Sequence, residues 1–212
     1  MKEGCIPEDW KSSMILPIYK GKGDTMECGS YRGTKLLEHA VKVVERTSEH
    51  RIRQKIEVDD MQFGFMKGKG TTDAIFTVRQ TQENFRVKGK KLYFGFVDLE
   101  KAFDRVLREV IPWAMCKWGV EEWLVLAVTF IYTGAKTVVR TAYGNSSGSE
   151  VKVGMQQGSA LSPLLFVIVM EAISRKLPWQ LLYADDVVVV TETEEDLTKR
   201  LNESKGTWKI EA

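Results

Sequence analysis

The sequence has few of the residues from which disulfide frameworks and zinc sites are built. Its three cysteines, Cys5, Cys28 and Cys116, are widely spaced and form no Cys-x-x-Cys pair. An odd number in this arrangement fits reduced thiols inside a cell rather than a disulfide-linked secreted fold. The two histidines, His39 and His50, are too scattered to complete a zinc site with these cysteines. These counts argue against a secreted disulfide scaffold and a structural zinc protein.

The sequence also has no hydrophobic run long enough to cross a bilayer. Its most apolar stretch, 161–170, has ten residues, whereas a transmembrane helix needs about 20. The N-terminus lacks the pattern of a secretory signal peptide. We therefore expect an intracellular protein, in the nucleus or the cytoplasm, with no membrane partner.

The charge of the chain is unevenly distributed, although its net value is only +2. Residues 1–92 contain 18 lysines and arginines against 13 aspartates and glutamates, whereas residues 93–212 contain 13 against 16. A basic first part and an acidic second part suit a protein that holds a polyanion beside metal-binding carboxylates. By itself this asymmetry indicates no particular partner.

With 212 residues, 43% hydrophobic and 28% charged, the chain has the composition of a folded globular protein. Hydrophobic periodicity predicts an α+β protein with helices over 35–58, 71–88, 104–117, 121–133, 160–177 and 194–202. Pro112 is expected to bend or divide the third helix, and Thr71 or Thr72 to cap the second. Strands are predicted at 13–19, 91–98 and 137–143, with Gly- and Lys-rich loops at 20–24 and 61–70. The second loop is expected to expose Phe63 and Phe65.

The stretch 181–190, Leu-Leu-Tyr-Ala-Asp-Asp-Val-Val-Val-Val, places two carboxylates between two apolar runs. Runs of this length and composition favour strands, so a hairpin is predicted with its turn at 184–186. Asp185 and Asp186 repel each other, and desolvating either is costly unless a positive group is near. Mg²⁺ is such a group, since it typically takes one or two carboxylates together with substrate phosphates. The alternative is a solvated turn between two surface strands.

A second acidic segment, 96–104, has the sequence Phe-Val-Asp-Leu-Glu-Lys-Ala-Phe-Asp. Asp98 is expected at the C-terminal end of a buried strand, where side chains open onto a cleft. Asp104 is expected at a helix start, where a carboxylate complements the helix dipole. We therefore assign a chemical role to Asp98 and a mainly structural one to Asp104. An isolated aspartate at a strand end is, however, more often a cap or turn residue.

A third segment, 156–166, has the sequence Gln-Gln-Gly-Ser-Ala-Leu-Ser-Pro-Leu-Leu-Phe. Gly158 permits close backbone approach. Ser159 and Ser162 open a helix whose N-terminus would favour an anion such as phosphate. The alternative is an ordinary N-cap before a core helix.

Together, the carboxylates of the first two segments suit phosphoryl transfer. Two metal ions about 4 Å apart can activate an attacking 3′ hydroxyl and stabilise a leaving pyrophosphate. Asp98 and Asp185 on adjacent strands would hold the ions between them, with Asp186 as a third, less direct ligand. Lysines or arginines of the basic first part would neutralise the triphosphate.

In this order and spacing the three segments resemble the core motifs of reverse transcriptases, and more narrowly those of non-LTR (LINE-type) retrotransposons. Stretches of the first part are similar to the fingers of that family: Leu-Pro-Ile-Tyr-Lys at 16–20, Gly-Ser-Tyr-Arg-Gly at 29–33, Gln-Phe-Gly-Phe at 62–65 and Gly-Thr-Thr-Asp-Ala-Ile at 70–75. The resemblance covers about residues 10–204. It implies a right-hand polymerase fold with an antiparallel palm sheet packed on helices.

The resemblance further implies a single reverse transcriptase domain over residues 10–212. Its fingers would span about 10–90 and 108–155, and its palm about 91–107 and 156–212. We expect the thumb to be absent from these 212 residues, so that a thumb or other domains would be supplied elsewhere. The sequence departs from the family at 33–35, Gly-Thr-Lys, where many relatives have Pro-Ile and an apolar residue, and at Lys67, where Pro or Arg is usual.

For a member of this family the implied reaction is templated addition of deoxynucleotides to a primer 3′ end. The implied partners are an RNA template, a DNA primer and deoxynucleoside triphosphates. The implied cofactor is Mg²⁺, with Mn²⁺ as a substitute, held by Asp98, Asp185 and Asp186.

The family resemblance also carries a set of nucleotide contacts. Phe103 matches the residue that stacks under the incoming sugar and excludes a 2′ hydroxyl; the less favoured alternative is a core aromatic. Gln157 and Gly158 match the segment that contacts the incoming nucleotide and the template. The remaining expected nucleotide-binding residues are Leu99, Arg32, Lys20 and Lys22.

Two other functions are compatible with parts of this pattern. An inactive retroelement relic, or a nucleic-acid-binding module, would keep the fold without turnover, and the absent thumb favours this alternative. A different metal-dependent palm enzyme, such as a nucleotidyl cyclase, or a two-metal nuclease would share the carboxylates but not the segment 157–166. The three intact aspartates favour a polymerase.

Overall fold

The computed structural model describes residues 7–174 and 180–207. The chain forms two compact units, each assembled from two separate segments. The first unit comprises Met1–Ile56 and Leu107–Leu165, and the second comprises Glu57–Val106 and Phe166–Ala212. The predicted α+β class is confirmed, whereas the predicted division of the chain into fingers and palm stays a prediction.

Fifteen helices and strands follow one another along the described residues, besides two short 3-10 helices at Glu8–Lys11 and Cys28–Ser30. They are β1 (Ser12–Tyr19), β2 (Tyr31–Leu36), α1 (His39–Arg53), α2 (Thr71–Val87), β3 (Tyr93–Asp98), α3 (Ala102–Arg105), α4 (Val110–Lys117), α5 (Glu122–Tyr132), β4 (Lys136–Thr141), β5 (Gly144–Asn145), β6 (Ser149–Glu150), α6 (Ser162–Ser174), β7 (Gln180–Tyr183), β8 (Asp186–Thr191) and α7 (Glu194–Thr207).

The first unit is built on a mixed sheet in which β1 lies between β2 and β4. β1 pairs antiparallel with β2 from Met14 to Tyr19, whereas β4 pairs in parallel only with Ser12–Ile15. The strand continues through Pro17, which proline can occupy because it lies beyond the part of β1 that β4 covers. β1 and β2 form a hairpin, and the predicted Gly- and Lys-rich loop at 20–24 lies between them.

Helix α1 is shorter than the helix predicted over 35–58. Lys35 and Leu36 belong to β2 instead, because each pairs with a residue of β1. The buried face of α1 consists of Val41, Glu45, Ser48 and Ile52, which is the spacing of one helical face.

The predicted helix over 104–117 is divided in two, but Pro112 is not at the break. The chain leaves helical conformation after α3 and begins α4 at Val110. Pro112 therefore lies in the first turn of α4, where its missing N–H removes no helical hydrogen bond.

The second unit contains the antiparallel sheet β3-β8-β7, with helices on both faces. On one face Leu181 and Val188 pack with Ala74 of α2 and with Phe63. On the other face Leu182, Val187 and Val189 pack with Leu197 and Leu201 of α7. The unbroken apolar run of β8 is explained by this burial on both sides.

Two sequence-based expectations about this unit are wrong. Phe63 is buried in the core, because its segment runs parallel beside β7: Phe63 donates its N–H to the Leu182 carbonyl (2.8 Å) and Leu182 donates to the Met61 carbonyl (2.9 Å). Strand β3 is an edge strand rather than a buried one, and Phe96 within it is 75% exposed.

The other predicted elements are close to their expected places. α2 and α5 agree with the prediction to within one residue at each end, and α7 begins at the predicted residue. α2 is capped by the Asp73 carboxylate, which accepts the Gly70 N–H (2.7 Å), rather than by a threonine. The strand predicted over 137–143 ends two residues early as β4, because Thr141 pairs with Gly144 across a two-residue turn. The predicted end of α6 at 177 lies outside the described residues. Within 7–174 and 180–207, none of the helices combines the length and the apolar character needed to cross a membrane.

Candidate active site

The predicted hairpin between 181 and 190 is confirmed. β7 and β8 pair antiparallel, with Tyr183 opposite Asp186 and only Ala184 and Asp185 in the turn. Ala184 has a φ of 57°, a left-handed conformation that costs a non-glycine residue of the order of 1 kcal/mol. Packing around the turn must therefore hold it in place.

Gly64 is the residue that packs most tightly against this turn. A Cβ at Gly64 would lie 2.0 Å from the Ala184 nitrogen and 2.7 Å from its Cα. Only glycine fits at such a close approach of two backbones. The neighbouring Gln62 is fully buried, and its Oε1 accepts the Gly64 N–H at 2.9 Å. The segment 62–64, which lies beside β7, thus packs against the turn that carries Asp185.

The register of the sheet places Asp98 directly opposite Asp186. These residues are Cα partners at the ends of β3 and β8, so their side chains point to the same face with Cβ atoms about 4.5–5.5 Å apart. The sequence-based expectation that Asp98 and Asp185 would occupy the adjacent strands is wrong. Because the turn holds two residues, Asp185 lies within it and Asp186 begins β8.

The three carboxylates form a focus of negative charge. Partial burial, together with repulsion from Asp185 and Asp98, raises the pKa of the Asp186 carboxyl above its ordinary value. A carboxylate whose ionisation is opposed by two like charges gains from a nearby cation. The electrostatics of the turn therefore favour binding of a positive ion.

The donor set fits a hard divalent cation that keeps part of its coordination for other ligands. Across 7–174 and 180–207, no three His, Cys, Asp or Glu side chains form a preassembled metal cluster. Mg²⁺ does not need one, since it is commonly bound by one or two carboxylates and completed by water and substrate phosphates. Asp98, Asp185 and Asp186 are the residues that could hold it.

A groove of about 570 Å³ contains Asp98 and Asp186. One wall is formed by α2, including Ile75 and Arg79, and the other by the sheet, including Phe96. Its lining is mainly apolar with the carboxylates among it, which is the composition of a ligand site.

Phe103 and Leu99 lie in the same unit as the three aspartates. The Phe103 ring is half-buried and contacts the buried Phe166 ring, with centroids 5.4 Å apart. Phe166 also meets Phe65 edge-on at 6.5 Å. Leu99 is half-buried, and its carbonyl accepts the Ala102 N–H at 3.1 Å at the start of α3. The position of Phe103 is thus fixed by aromatic packing.

The predicted basic contacts belong to the first unit. Lys20 and Lys22 are exposed in the β1–β2 loop, and Arg32 is exposed on β2. The Lys20 ammonium donates to the Gly29 carbonyl at 2.9 Å, which ties it to the far side of its loop.

Gln157 and Gly158 also lie in the first unit, in the loop before α6. Gly158 has a φ of 90°, and a Cβ there would be 2.6 Å from the Lys35 carbonyl oxygen. The structure thus agrees with a close backbone approach at Gly158, although the approaching group is the protein's own backbone.

The expected anion site at the start of α6 is occupied by the protein itself. The Glu45 carboxylate accepts the Ala160 N–H, and the Ser159 hydroxyl oxygen accepts the N–H groups of Leu161 and Ser162. The backbone N–H groups that were expected to bind a phosphate are therefore hydrogen-bonded within the protein.

Sequence reasoning missed two residues that shape these sites, Gly64 and Glu45. Gly64 stands between two aromatics without any local requirement that could be read from its neighbours. Glu45 could have been recognised from the sequence, because it lies at the same helical spacing as Val41, Ser48 and Ile52 on the buried face of α1. An acidic residue on a buried face is costly unless it has partners.

The raised pKa of Asp186 predicts a pH-dependent effect on stability. In the presence of a chelator, the folded state holds the Asp186 proton more tightly than the unfolded state does. Its contribution to the free energy of unfolding therefore falls as the pH rises from the ordinary aspartate pKa through the raised one. We expect Asp186→Asn to be increasingly stabilising, relative to wild type, across that window and to show a constant difference below it. Denaturant unfolding at several pH values would measure this, and a difference that shrinks with rising pH would contradict it.

Comparison with known proteins agrees with the geometry. Residues 18–209 match the reverse transcriptase (RNA-dependent DNA polymerase) family. The chain is 28% identical over 214 residues to the "Retrovirus-related Pol polyprotein from type-1 retrotransposable element R2" of Nasonia vitripennis, covering 95% of the chain and 21% of that protein. It is 29% identical to the "RNA-directed DNA polymerase from mobile element jockey" of Drosophila funebris, covering 91% of the chain and 22% of that protein. The chain thus spans about a fifth of the length of these relatives.

Solved structures show the same fold at low sequence identity. An apo telomerase from Candida tropicalis, truncated from its C-terminal domain, superposes with a TM-score of 0.67 and 14% identity, covering 93% of this chain and 47% of that one. A telomerase from Candida albicans in complex with a fragment of telomeric RNA gives a TM-score of 0.67 and 12% identity, covering 96% and 40%. The expected right-hand polymerase fold is confirmed. With nearly its whole length matched, the chain belongs to the reverse transcriptase family, and its relatives are proteins of non-LTR retrotransposons.

Proposed function

We propose that this chain is the fingers and palm of an RNA-directed DNA polymerase, which adds deoxynucleotides to the 3′ hydroxyl of a DNA primer on an RNA template. The observation that carries the proposal is the placement of Asp98 and Asp186 on one face of the palm-type sheet, beside Asp185, in a member of the reverse transcriptase family.

In this proposal the three aspartates hold Mg²⁺, or Mn²⁺ in its place. When bound, the metal would supply activation of the attacking hydroxyl and neutralisation of the leaving phosphates. The carboxylates are already close to one another, and their mutual repulsion is relieved by the ion rather than by protonation. The apolar groove beside them, with Phe96 exposed in it, offers a surface on which a nucleotide or primer could lie next to the carboxylates.

We assign the nucleotide contacts to two groups of residues. Lys20, Lys22 and Arg32 would neutralise the triphosphate. All three are exposed, and the Lys20 ammonium has further N–H donors besides the one bonded to the Gly29 carbonyl. Gln157 and Gly158 would contact the incoming nucleotide and the template. Gly158 is exposed and has no side chain, so a base or sugar can approach its backbone.

Phe103 and Leu99 complete the nucleotide site in this proposal, with Phe103 lying under the incoming sugar. The contact with Phe166 would hold the ring in this position against a 2′ hydroxyl. Rigid packing of this kind is what turns an aromatic residue into a selective barrier rather than a mobile surface group.

Shortening Phe103 is expected to weaken sugar discrimination. Phe103→Val removes the ring while keeping an apolar residue, so ribonucleotide incorporation relative to deoxynucleotide incorporation should rise by at least about tenfold. Single-nucleotide incorporation with each triphosphate measures the ratio. The matched control is Phe76→Val, at an exposed phenylalanine of α2, which should leave the ratio unchanged. An unchanged ratio in Phe103→Val would remove Phe103 from the site.

A polymerase acting on nucleic acid would work in the nucleus or the cytoplasm. The partners that we propose are an RNA template, a DNA primer and deoxynucleoside triphosphates.

Primer extension tests the proposal directly. Purified protein would be incubated with a primed RNA template, deoxynucleotides and Mg²⁺, beside reactions with a chelator and with the aspartate variants described in the Discussion. We expect extension that needs both the metal and the aspartates. A folded protein that binds the primed template without extending it would instead identify a nucleic-acid-binding module or an inactive relic.

A further inference from the structure

Glu45 is a buried carboxylate to which the proposed reaction assigns no role. It lies on α1 with no exposed surface. One of its oxygens accepts a hydrogen bond from the Ser159 hydroxyl at 2.7 Å, and the other accepts the Ala160 N–H at 3.0 Å. Both partners lie in the loop that leads into α6, more than 110 residues away in sequence. Glu45 therefore joins two distant segments of the first unit.

The contact between Glu45 and the loop caps the N-terminus of α6, because it supplies acceptors for the first free N–H groups of the helix. The Ser159 oxygen that donates to Glu45 also accepts the N–H groups of Leu161 (3.1 Å) and Ser162 (3.0 Å). A negative charge placed before the first turn also complements the positive end of the helix dipole. These hydrogen bonds offset part of the free-energy cost of burying the carboxylate. Burial remains the larger effect, and it raises the pKa of Glu45 above its ordinary value.

A second set of bonds fixes the other end of the same loop. The Ser162 hydroxyl lies 2.6 Å from the Tyr132 hydroxyl, and its oxygen accepts the Gln156 N–H at 3.2 Å. Tyr132 is buried, and this burial raises its pKa to about 12, so it remains a neutral hydroxyl. Gln156 and Ser159 are thus both fixed, and Gln157 and Gly158 lie between them.

Gly158 has little freedom to move within this frame. Its φ of 90° and its close approach to the Lys35 carbonyl allow the loop only a narrow set of positions. Loss of the bond between Glu45 and Ser159 would remove the side-chain contact that ties this end of the loop to α1.

We propose that Glu45 is a positioning residue, which holds Gln157 and Gly158 in the conformation that receives the incoming nucleotide. The inference rests on the proposed function, because it takes from that function the contact between this loop and the nucleotide. Glu45 acts through Ser159 and Ala160 and touches no substrate.

The test compares Glu45→Gln and Glu45→Ala with wild type in the 212-residue chain. Glu45→Gln keeps the shape of the side chain but removes the charge and one acceptor oxygen, so it separates positioning from loss of packing. The matched control is Glu49→Gln, one turn further along α1, where the half-buried carboxylate is paired with Arg53 of the same helix rather than with the loop. The KM for the deoxynucleotide is the decisive reading, because it does not depend on the fraction of protein that is folded.

For Glu45→Gln we expect the KM for the deoxynucleotide to rise by about tenfold, with kcat within about threefold of wild type. Glu45→Ala should show a larger increase, and Glu49→Gln should show none. Hydrogen exchange at the amides of 156–162 should be faster in both Glu45 variants by at least about tenfold, and unchanged in Glu49→Gln.

An unchanged KM in Glu45→Gln would overturn the inference, whatever happens to its melting temperature, because a purely structural residue would lower the amount of active enzyme and not its affinity. If wild type itself incorporates no nucleotide, the proposed function fails. Exchange then decides the remaining claim: faster exchange at 156–162 supports the fixing of the loop by Glu45, and unchanged exchange overturns it.

Discussion

Asp98→Asn, Asp185→Asn and Asp186→Asn are each expected to lower nucleotide incorporation by a factor of about 10²–10³ or more, while the protein stays folded. The physical reason is that each change removes a negative charge from the group of carboxylates that would hold the metal, and preorganised charge is commonly the largest contribution to such reactions. Single-turnover primer extension on a primed RNA template measures the rate constant for each variant.

Stability separates this loss from unfolding. At neutral pH Asp186→Asn removes a charge that is repelled by Asp185 and Asp98, so the metal-free variant should melt at the same temperature as wild type or higher. The matched control is Asp60→Asn, which removes an exposed carboxylate 3.6 Å from Lys69, an ion pair worth at most about 1 kcal/mol. It should keep full activity. Equal losses in Asp60→Asn and Asp186→Asn, or full activity in Asp186→Asn, would contradict the assignment.

Gly64→Ala should damage the same site without touching any carboxylate. The added methyl group would lie 2.0 Å from the Ala184 nitrogen, 2.7 Å from its Cα and 2.9 Å from the Tyr183 carbonyl carbon. These are backbone atoms that cannot rotate away, so the turn carrying Asp185 must shift. We expect a loss of about 1–3 kcal/mol in the free energy of unfolding and at least about a hundredfold in incorporation rate.

Denaturant unfolding and single-nucleotide incorporation measure the two effects of Gly64→Ala. The control is Gly29→Ala, where a Cβ would meet no atom within 4 Å and the backbone is in an ordinary conformation. It should be neutral in both assays. Stability lost with activity retained would show that the aspartate turn tolerates displacement, which contradicts the proposed geometry of the site.

The elements of this protein that the sequence predicts well are those specified locally. The Asp-Asp hairpin follows from two short β-branched runs on either side of a two-residue turn. The ends of β3 and α2 follow similarly from Asp98 and Gly89, the latter at a φ of 65° just after the helix. Local sequence is sufficient to predict these elements, because the interactions that form them are made by residues close together in the chain.

The sequence-based predictions are wrong or incomplete where contacts with a distant segment of the chain determine the structure of a residue. Lys35 and Leu36 have helical spacing with the residues that follow, but pairing with β1 extends β2 through them. Phe63 has the setting of an exposed loop aromatic, but its segment is hydrogen-bonded to β7 some 120 residues later. Glu45 finds its partners at Ser159 and Ala160. No pattern within a window of a few residues contains these contacts.

Because each unit is assembled from two separate segments of the chain, neither unit can complete its fold early in synthesis on the ribosome. β1 pairs with β4 across more than 120 residues, as Ser12 does with Lys136, and the second unit needs β3 together with β7 and β8. When residue 106 leaves the ribosome, the nascent chain therefore holds half of each unit and the whole of neither. At ordinary synthesis rates the first unit waits roughly 3–12 s for its remaining segment. During that interval the uncovered edges of β1 and β3 are templates for pairing with other chains, so chaperone supply is expected to govern the soluble yield more strongly than the stability of the finished fold does.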